Sequence, residues 1–212
     1  MSDEAGRVYI HYVLDKLYYS HDNPRDKGTG FERFIKSFLV TEPLYAGRFE
    51  QVWMWSDWPE RGTRPDHGID LVARERDTGD LVAVQCKFFS PEAALPKGEI
   101  DSFLAESGKH PFRSRLLVTT AGRLNSAAEA AIENQQIPVN VIGLEDLVGS
   151  TLDWAQFDPS TPEVLSTLGR KQLRPHQRTA IDAVRAGFTE HDRGQLIMAC
   201  GTGKTFTSLR LA

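Results

Sequence analysis

HGIDLVARERDTGDLVAVQCKFF, residues 67–89, reads as two strands joined by a tight turn. The segments 70–76 and 81–89 are rich in β-branched and apolar residues, and Asp77-Thr78-Gly79-Asp80 between them carries turn chemistry. A two-residue loop at Thr78-Gly79 sets Asp70 opposite Lys87 and Val72 opposite Gln85. One face then holds Asp70, Val72, Arg74, Ala83, Gln85 and Lys87. The other holds Leu71, Ala73, Glu75, Val82, Val84 and Cys86, so polar groups separate from apolar ones with few exceptions. A three-residue loop with a Gly bulge is the competitor. It moves the pairing by one, puts Asp70 with Val84 and Cys86, and leaves no clean core face, which disfavours it. In the favoured register Asp70, Gln85 and Lys87 converge, because opposite residues lie ~5 Å apart and diagonal ones ~7–8 Å.

A carboxylate, an amide oxygen and an ammonium at one point suit a hard cation. Mg²⁺ binds through one or two carboxylates plus substrate phosphate and keeps several waters. It acidifies a bound water and offsets charge building on a phosphate. Lys87 would orient that water or stabilise the transition state. Phosphodiester hydrolysis fits this set. Each residue alone has an ordinary reading: Asp70 as a strand end beside a glycine turn, Gln85 and Lys87 as an exposed strand face. The three together point to a site.

The pattern on either side is α/β. EAGRVYIHYVLDKLYY has Ile10, Val13, Leu14 and Leu17 at helical spacing. The loop SHDNPRDKG follows, and TGFERFIKSFLV is a helix with Phe31, Phe34, Ile35 and Phe38 on one side. FEQVWMW is strand-like, with Trp53 and Trp55 on one strand face, and these two and Trp58 are expected in the core rather than stacked on bases. After the hairpin come a helix (97–110), a short buried strand (114–120), a helix capped at Asn125 or Ser126, the strand VNVIG and a short helix LEDLVG. The predicted fold is thus a mixed central sheet flanked by helices over residues 1–150. Pro159, Pro162 and Gly169 break the pattern, so 151–172 reads as a linker or extended crossing segment, and 173–212 begins a second domain.

Gly68-Ile69-Asp70 followed by Gln85-x-Lys87 resembles the PD-(D/E)xK nuclease superfamily, in the branch typified by the Mrr restriction enzymes, where Gln replaces the usual acid. The similarity spans roughly residues 28–150 and includes GTGFERFI, HGIDLVA, VAVQCKFF and LLVTTAGRLNSAAEAA. It implies a restriction-endonuclease-like fold, with Asp70 and Gln85 on the metal side and Lys87 as the catalytic lysine. A helical Glu completes such sites, and Glu32 matches its position. Thr29-x-x-Glu32 is also a capping box, which would explain Glu32 without a metal. Pro65-Asp66 superficially fits the family's "PD", but Asp70 alone lies within the hairpin. His67 reads as a turn residue rather than a ligand.

MACGTGKT, residues 198–205, follows the strand-like QLI. Backbone N–H groups of Gly201, Thr202 and Gly203 would wrap phosphate oxygens, Lys204 would reach the β/γ-phosphates, and Thr205 would hold Mg²⁺. Met198 stands where the general pattern has its first Gly, so the loop instead resembles motif I of superfamily 2 helicases. LRPHQRTAI resembles their adenine-reading element, with Gln177 as the reader. The chain ends at Ala212, before a RecA-like nucleotide domain can close. It is therefore expected to be the N-terminal part of a longer nuclease–translocase fusion of the Type ISP (single-chain Type I-like) kind, with ATP used by the full-length protein.

Composition bounds the rest. The 212 residues carry a net charge of −4, against a globally basic nucleic-acid binder. Residues 124–168 hold seven acids and no Lys or Arg, while 61–123 are nearly balanced and 169–212 hold eight basic residues against three acids. A phosphate backbone would avoid the first segment and meet the others, if these clusters are more than solvated faces. Cys86 and Cys200 make no disulfide framework or metal-ligand spacing. No membrane span or signal peptide is visible, and a reducing cytoplasm is the default location. The expected activity is a Mg²⁺-dependent endonuclease, with Mn²⁺ as an alternative metal, acting on double-stranded DNA. Expected partners are the downstream helicase and target-recognition parts of the same polypeptide and a transient nuclease dimer, with no membrane. The alternative function is a catalytically weak or inactive DNA-docking module of a helicase.

Overall fold

The computed structural model describes residues 3–20, 23–64, 68–158, 161, 164–167, 175–189, 191, 193 and 207. The chain divides into two compact units, Met1–Leu168 and Gly169–Ala212. No helix among the described residues is long and apolar enough to cross a membrane.

The first unit opens with helices α1 (Asp3–Tyr19), α2 (Pro24–Thr41) and α3 (Pro43–Arg48) and strand β1 (Phe49–Met54). The hairpin strands are β2 (Leu71–Glu75) and β3 (Leu81–Lys87). Then come β4 (Ala94–Leu95), α4 (Asp101–Ser107), β5 (Phe112–Thr119), β6 (Arg123–Leu124), α5 (Ser126–Ile132), β7 (Val139–Ile142) and α6 (Leu144–Val148). The main sheet has the order β1-β2-β3-β5-β7. Its first three strands are antiparallel, and β3, β5 and β7 are parallel. The sheet is mixed as expected, and β3 joins its two halves. The pair β4–β6 forms a separate parallel ribbon, too short for any periodic signal in sequence.

Alternation along the strands sends side chains to two cores. Leu71, Ala73, Val82, Val84, Leu116, Val118 and Ile142 face α1, α2 and α6 in one apolar cluster. The helical stripes predicted on α1 and α2 supply its other half: Ile10, Val13, Leu17, Phe31, Phe34, Ile35 and Phe38 are at most 1% exposed. Val72 and Ala83 face the other way, toward Phe103 of α4, Trp55, Trp58 and Phe112. Leu117 meets Ala128 of α5, Leu95 and Ile100 in a third cluster. Full burial of one such side chain is worth about 1.5–3 kcal/mol, so the stripes rather than helix propensity hold α1 and α2 in place.

Several sequence expectations are corrected. The helix expected from Thr29 begins at Pro24, inside the predicted loop. Asn23 caps it by accepting a hydrogen bond from the Asp26 amide at 2.9 Å, and Pro24 occupies the first turn, where no N–H partner is needed. The helix expected over 97–110 is a 3₁₀ turn at Lys97–Glu99 followed by α4. Strand β1 stops at Met54, and Trp55 opens a 3₁₀ turn, so Trp53 and Trp55 do not share a strand face. Trp55 and Trp58 are buried, while Trp53 stays half-buried with the Arg74 guanidinium 5.6 Å from its ring centre. The cap predicted at Asn125 or Ser126 is Asn125, accepting from the Ala128 amide at 2.8 Å.

The start of the segment read as a linker is packed. Leu152, Trp154 and Phe157 belong to the first core cluster, and Leu152 bridges to Thr167. Trp154 lies against Phe34 and Phe38, with ring centres 5.5 and 6.3 Å apart, and donates its indole N–H to the Leu147 carbonyl at 3.2 Å. Proline and acidic residues masked this aromatic anchor in sequence. In the second unit, α7 (Pro175–Gly187) buries Gln177 and Ile181 one turn apart. Replacing Trp154 by Ala in the full chain is expected to cost about 3–5 kcal/mol in urea unfolding. A loss below ~1 kcal/mol would mean that the 151–158 stretch does not belong to this core.

Candidate active site

The hairpin turn is longer than predicted. Leu71 pairs with Val84, Val72 with Ala83, Ala73 with Val82 and Arg74 with Leu81. The Glu75 amide donates to the Asp80 carbonyl at 2.9 Å, which leaves a four-residue loop, 76–79. Gly79 adopts φ +73° in it, a conformation that costs glycine little. The register is therefore two residues away from the predicted one. Because the pleat repeats every two residues, the faces of the paired residues survive the shift. Asp70, one residue before the Leu71–Val84 pair, leaves the regular alternation: its amide donates to the Val84 carbonyl at 2.9 Å and Ile69 joins Val72 in the cluster on the α4 side, so Asp70 stands opposite neither Lys87 nor Gln85, contrary to the predicted shared face.

Gln85 is 3% exposed, and its Oε1 has no hydrogen-bond partner among the described residues. Its amide nitrogen is held near Gly68. A methyl group at Gly68 would lie 3.3 Å from Gln85 Nε2, 3.3 Å from the Phe103 amide nitrogen and 2.8 Å from Ser102 Oγ, and Gly68 has φ +83°. Only glycine combines that backbone with that closeness. Lys87, two residues on, reaches the same layer: its Nζ is 3.1 Å from Oε2 of Glu99, just before α4. Gln85 and Lys87 therefore share the α4 side of the sheet, as predicted. Glu99 is a contact that sequence reading missed, because a 3₁₀ turn has no periodic signature.

Asp70 sits at the end of the ladder. Its Oδ2 accepts the Cys86 amide at 2.6 Å, and its backbone oxygen accepts the Trp55 amide at 2.8 Å. It lines a cleft of about 600 Å³ with Pro24, Arg25, Gly28, Thr29, Glu32 and Arg33 of α2, and with Met54–Asp57 at the end of β1. The cleft brings Asp70 and Glu32 together; Gln85 and Lys87 are not in its lining. The capping-box reading of Glu32 fails, because Thr29 lies inside α2 rather than at its start. Burial first, then the carboxylates of Asp70 and Glu32, push the Cys86 thiol well above its ordinary 9.0, with Lys87 opposing them. Both carboxylates therefore act at one place beside β3.

Among the described residues, no three His, Cys, Asp or Glu side chains gather as a metal site. The Gln85 amide oxygen, buried and unpartnered among the described residues, is a donor that a metal beside β3 would satisfy. Two carboxylates and an amide oxygen are hard donors, which suit Mg²⁺ or Mn²⁺ rather than zinc. Pro65, Asp66 and His67 lie outside the described residues, as do Gly201, Thr202, Gly203, Lys204 and Thr205. Gln177 is described, on α7 and 5% exposed.

Gly68→Ala is expected to lower stability by about 1–2 kcal/mol in urea unfolding, through its positive φ alone. Cys86 gives a pH signature. Its thiol is protonated in the fold at a pH where the unfolded chain has released the proton. Its stabilising contribution is thus complete below the unfolded value near 9.0 and is lost as pH rises above it. Cys86→Ala is expected to lose less stability than the parent between about pH 9 and 11, as read from paired urea titrations.

Residues 40–164 match the Mrr-type family model described as "Restriction endonuclease", and residues 170–212 match "Type III restriction enzyme, res subunit". No curated protein matches the chain. Among solved structures, the ATP-dependent Type ISP restriction-modification enzyme LlaBIII bound to DNA is 41% identical over 93% of this chain, with a TM-score of 0.70. The match covers only 12% of that enzyme. The MspJI restriction endonuclease in complex with a 27-mer oligonucleotide is 19% identical, covering 65% of this chain and 30% of that one at a TM-score of 0.47. The DNA modification-dependent restriction endonuclease AspBHI is 16% identical, covering 69% and 34% at 0.41. With a family model spanning the hairpin, the sheet and the packed aromatic segment after it, this chain belongs to the Mrr-type restriction endonuclease family.

Proposed function

We propose that the unit Met1–Leu168 is a Mg²⁺-dependent DNA endonuclease, with Mn²⁺ as a substitute metal. We further propose that in the full-length protein it is coupled to an ATP-driven helicase-type translocase beginning in residues 169–212. The observation that carries the first reading is the buried Gln85 Oε1, unpartnered among the described residues, with Lys87 on the same side of the sheet and the Asp70 carboxylate bound to the amide of the intervening Cys86. The coupling draws on the 170–212 match and on the likeness to an ATP-dependent Type ISP enzyme. In it, Gln177 would read adenine and residues 201–205 would hold the nucleotide phosphates. A transient nuclease dimer on double-stranded DNA completes the proposal.

Asp70, Gln85 and Glu32 would hold the metal, which supplies an acidified water and neutralises phosphate charge. The Cys86 amide fixes the Asp70 carboxylate, so that donor is oriented before substrate arrives. Lys87 carries donors without an acceptor and is placed to hold the attacking water or a phosphate oxygen. Glu99 holds that ammonium meanwhile.

A second reading also has an observation behind it. Gln85 in place of an acid removes one negative charge from the metal side. A module so weakened would dock on DNA without cutting it.

Supercoiled plasmid with Mg²⁺ or Mn²⁺ separates the two. Nicking by the parent chain is expected, and Asp70→Ala, Lys87→Ala and Glu32→Gln should each reduce it by about a hundredfold or more. DNA binding without nicking in either metal would favour the docking reading.

A further inference from the structure

Resting on the reading of the Asp70 cleft as a nucleic-acid site, we propose that Arg25 and Arg33 form a phosphate clamp that seats the DNA backbone there. Both lie on α2 and both line the cleft that holds Glu32 and Asp70. They are eight residues apart, about 12 Å along the helix axis. Arg33 adjoins Glu32 in sequence, and Arg25 precedes Glu32 by two turns.

The acids around the cleft explain why a clamp is needed. Glu32, Asp57 and Asp70 all line it, and a polyanion approaching them meets like charge. A bound metal offsets that charge at one point only. Neighbouring phosphates need cations of their own.

The two arginines are uncommitted, unlike the cations near them. Among the described residues neither is in an ion pair, although Glu32 and Asp57 are close at hand; Asp57 takes its hydrogen bond from Ser56 Oγ at 2.8 Å. Arg61 and Arg64 on the adjacent loop instead lie over Trp55 and Trp58, 5.8 and 5.2 Å from the ring centres. Arg74 is paired with Glu60 at 2.6 Å and Arg48 with Glu75 at 2.6 Å. Arg25 and Arg33 are both exposed. A guanidinium fork matches a phosphate's oxygens two at a time, which a lysine ammonium does not. The clamp reads no bases: it contacts backbone alone, so it adds affinity without sequence preference.

The test is DNA binding by the full chain in EDTA, which holds cleavage off, using fluorescence anisotropy of two unrelated labelled duplexes from about 50 to 200 mM salt. Arg25→Ala and Arg33→Ala are each expected to lower the slope of log affinity against log salt by about 1, equally on both duplexes, and the double variant by about 2. The Lys variants keep most of the slope. Arg113→Ala is the control. Arg113 is exposed at the other end of the sheet, where Phe112 pairs with Leu81, whereas Lys87 pairs with Thr119. Unchanged slopes in the double variant, an equal drop in Arg113→Ala, or no DNA binding by the parent chain would each overturn the clamp. Slope losses without metal-dependent nicking would leave the clamp standing and remove the nuclease reading; nicking with unaltered slopes would do the reverse.

Discussion

The hydrogen bond from the Cys86 amide to the Asp70 carboxylate is the contact on which the site depends. It joins the residue before β2 to the one strand that belongs to both the antiparallel and the parallel half of the sheet. Through it a side chain outside any strand takes a fixed orientation, and the residues on either side of Cys86 are Gln85 and Lys87. Cys86 itself points the other way, toward the core of α1 and α2. One strand thus alternates a half-buried cysteine with two polar groups, and a slip of one residue would exchange them.

That alternation is why the face was legible in sequence although the loop was not. Leu71, Ala73, Val82 and Val84 on one side and Val72 and Ala83 on the other allow only even displacements of one strand against its partner. Thr78-Gly79 suggested a two-residue loop, but the positive φ of Gly79 closes a four-residue one. Pairing moved by two, and Asp70, outside the regular ladder, meets β3 through its amide at Val84 and its carboxylate at Cys86. Local turn chemistry was the weaker signal; burial, which acts along the whole strand, decided.

Other misses have the same physical origin. Asn23-Pro24 carried a helix start, but the polar run around it read as loop. Trp154 and Phe157 lay among prolines and acids and gave no period, yet they fill space beside Phe34 that only tertiary packing reveals. Glu32 needed the third dimension most. Its sequence neighbourhood offered a cap, and the helix's earlier start removed that reading and placed the carboxylate in the cleft with Asp70. Arg25 and Arg33 did not stand out because the contrasting charge segments begin at residue 61, although α2 carries Arg25, Lys27, Arg33 and Lys36 against Asp26 and Glu32.

The aromatic anchor after α6 has a mechanical consequence. Trp154 and Phe157 press on Phe34, and Trp154 on Phe38, along the helix whose other side presents Glu32. A pull applied at Thr167 would pass through its bridge to Leu152. From there it would be borne by interlocked rings, and the lever on which they bear carries one of the two acids of the cleft.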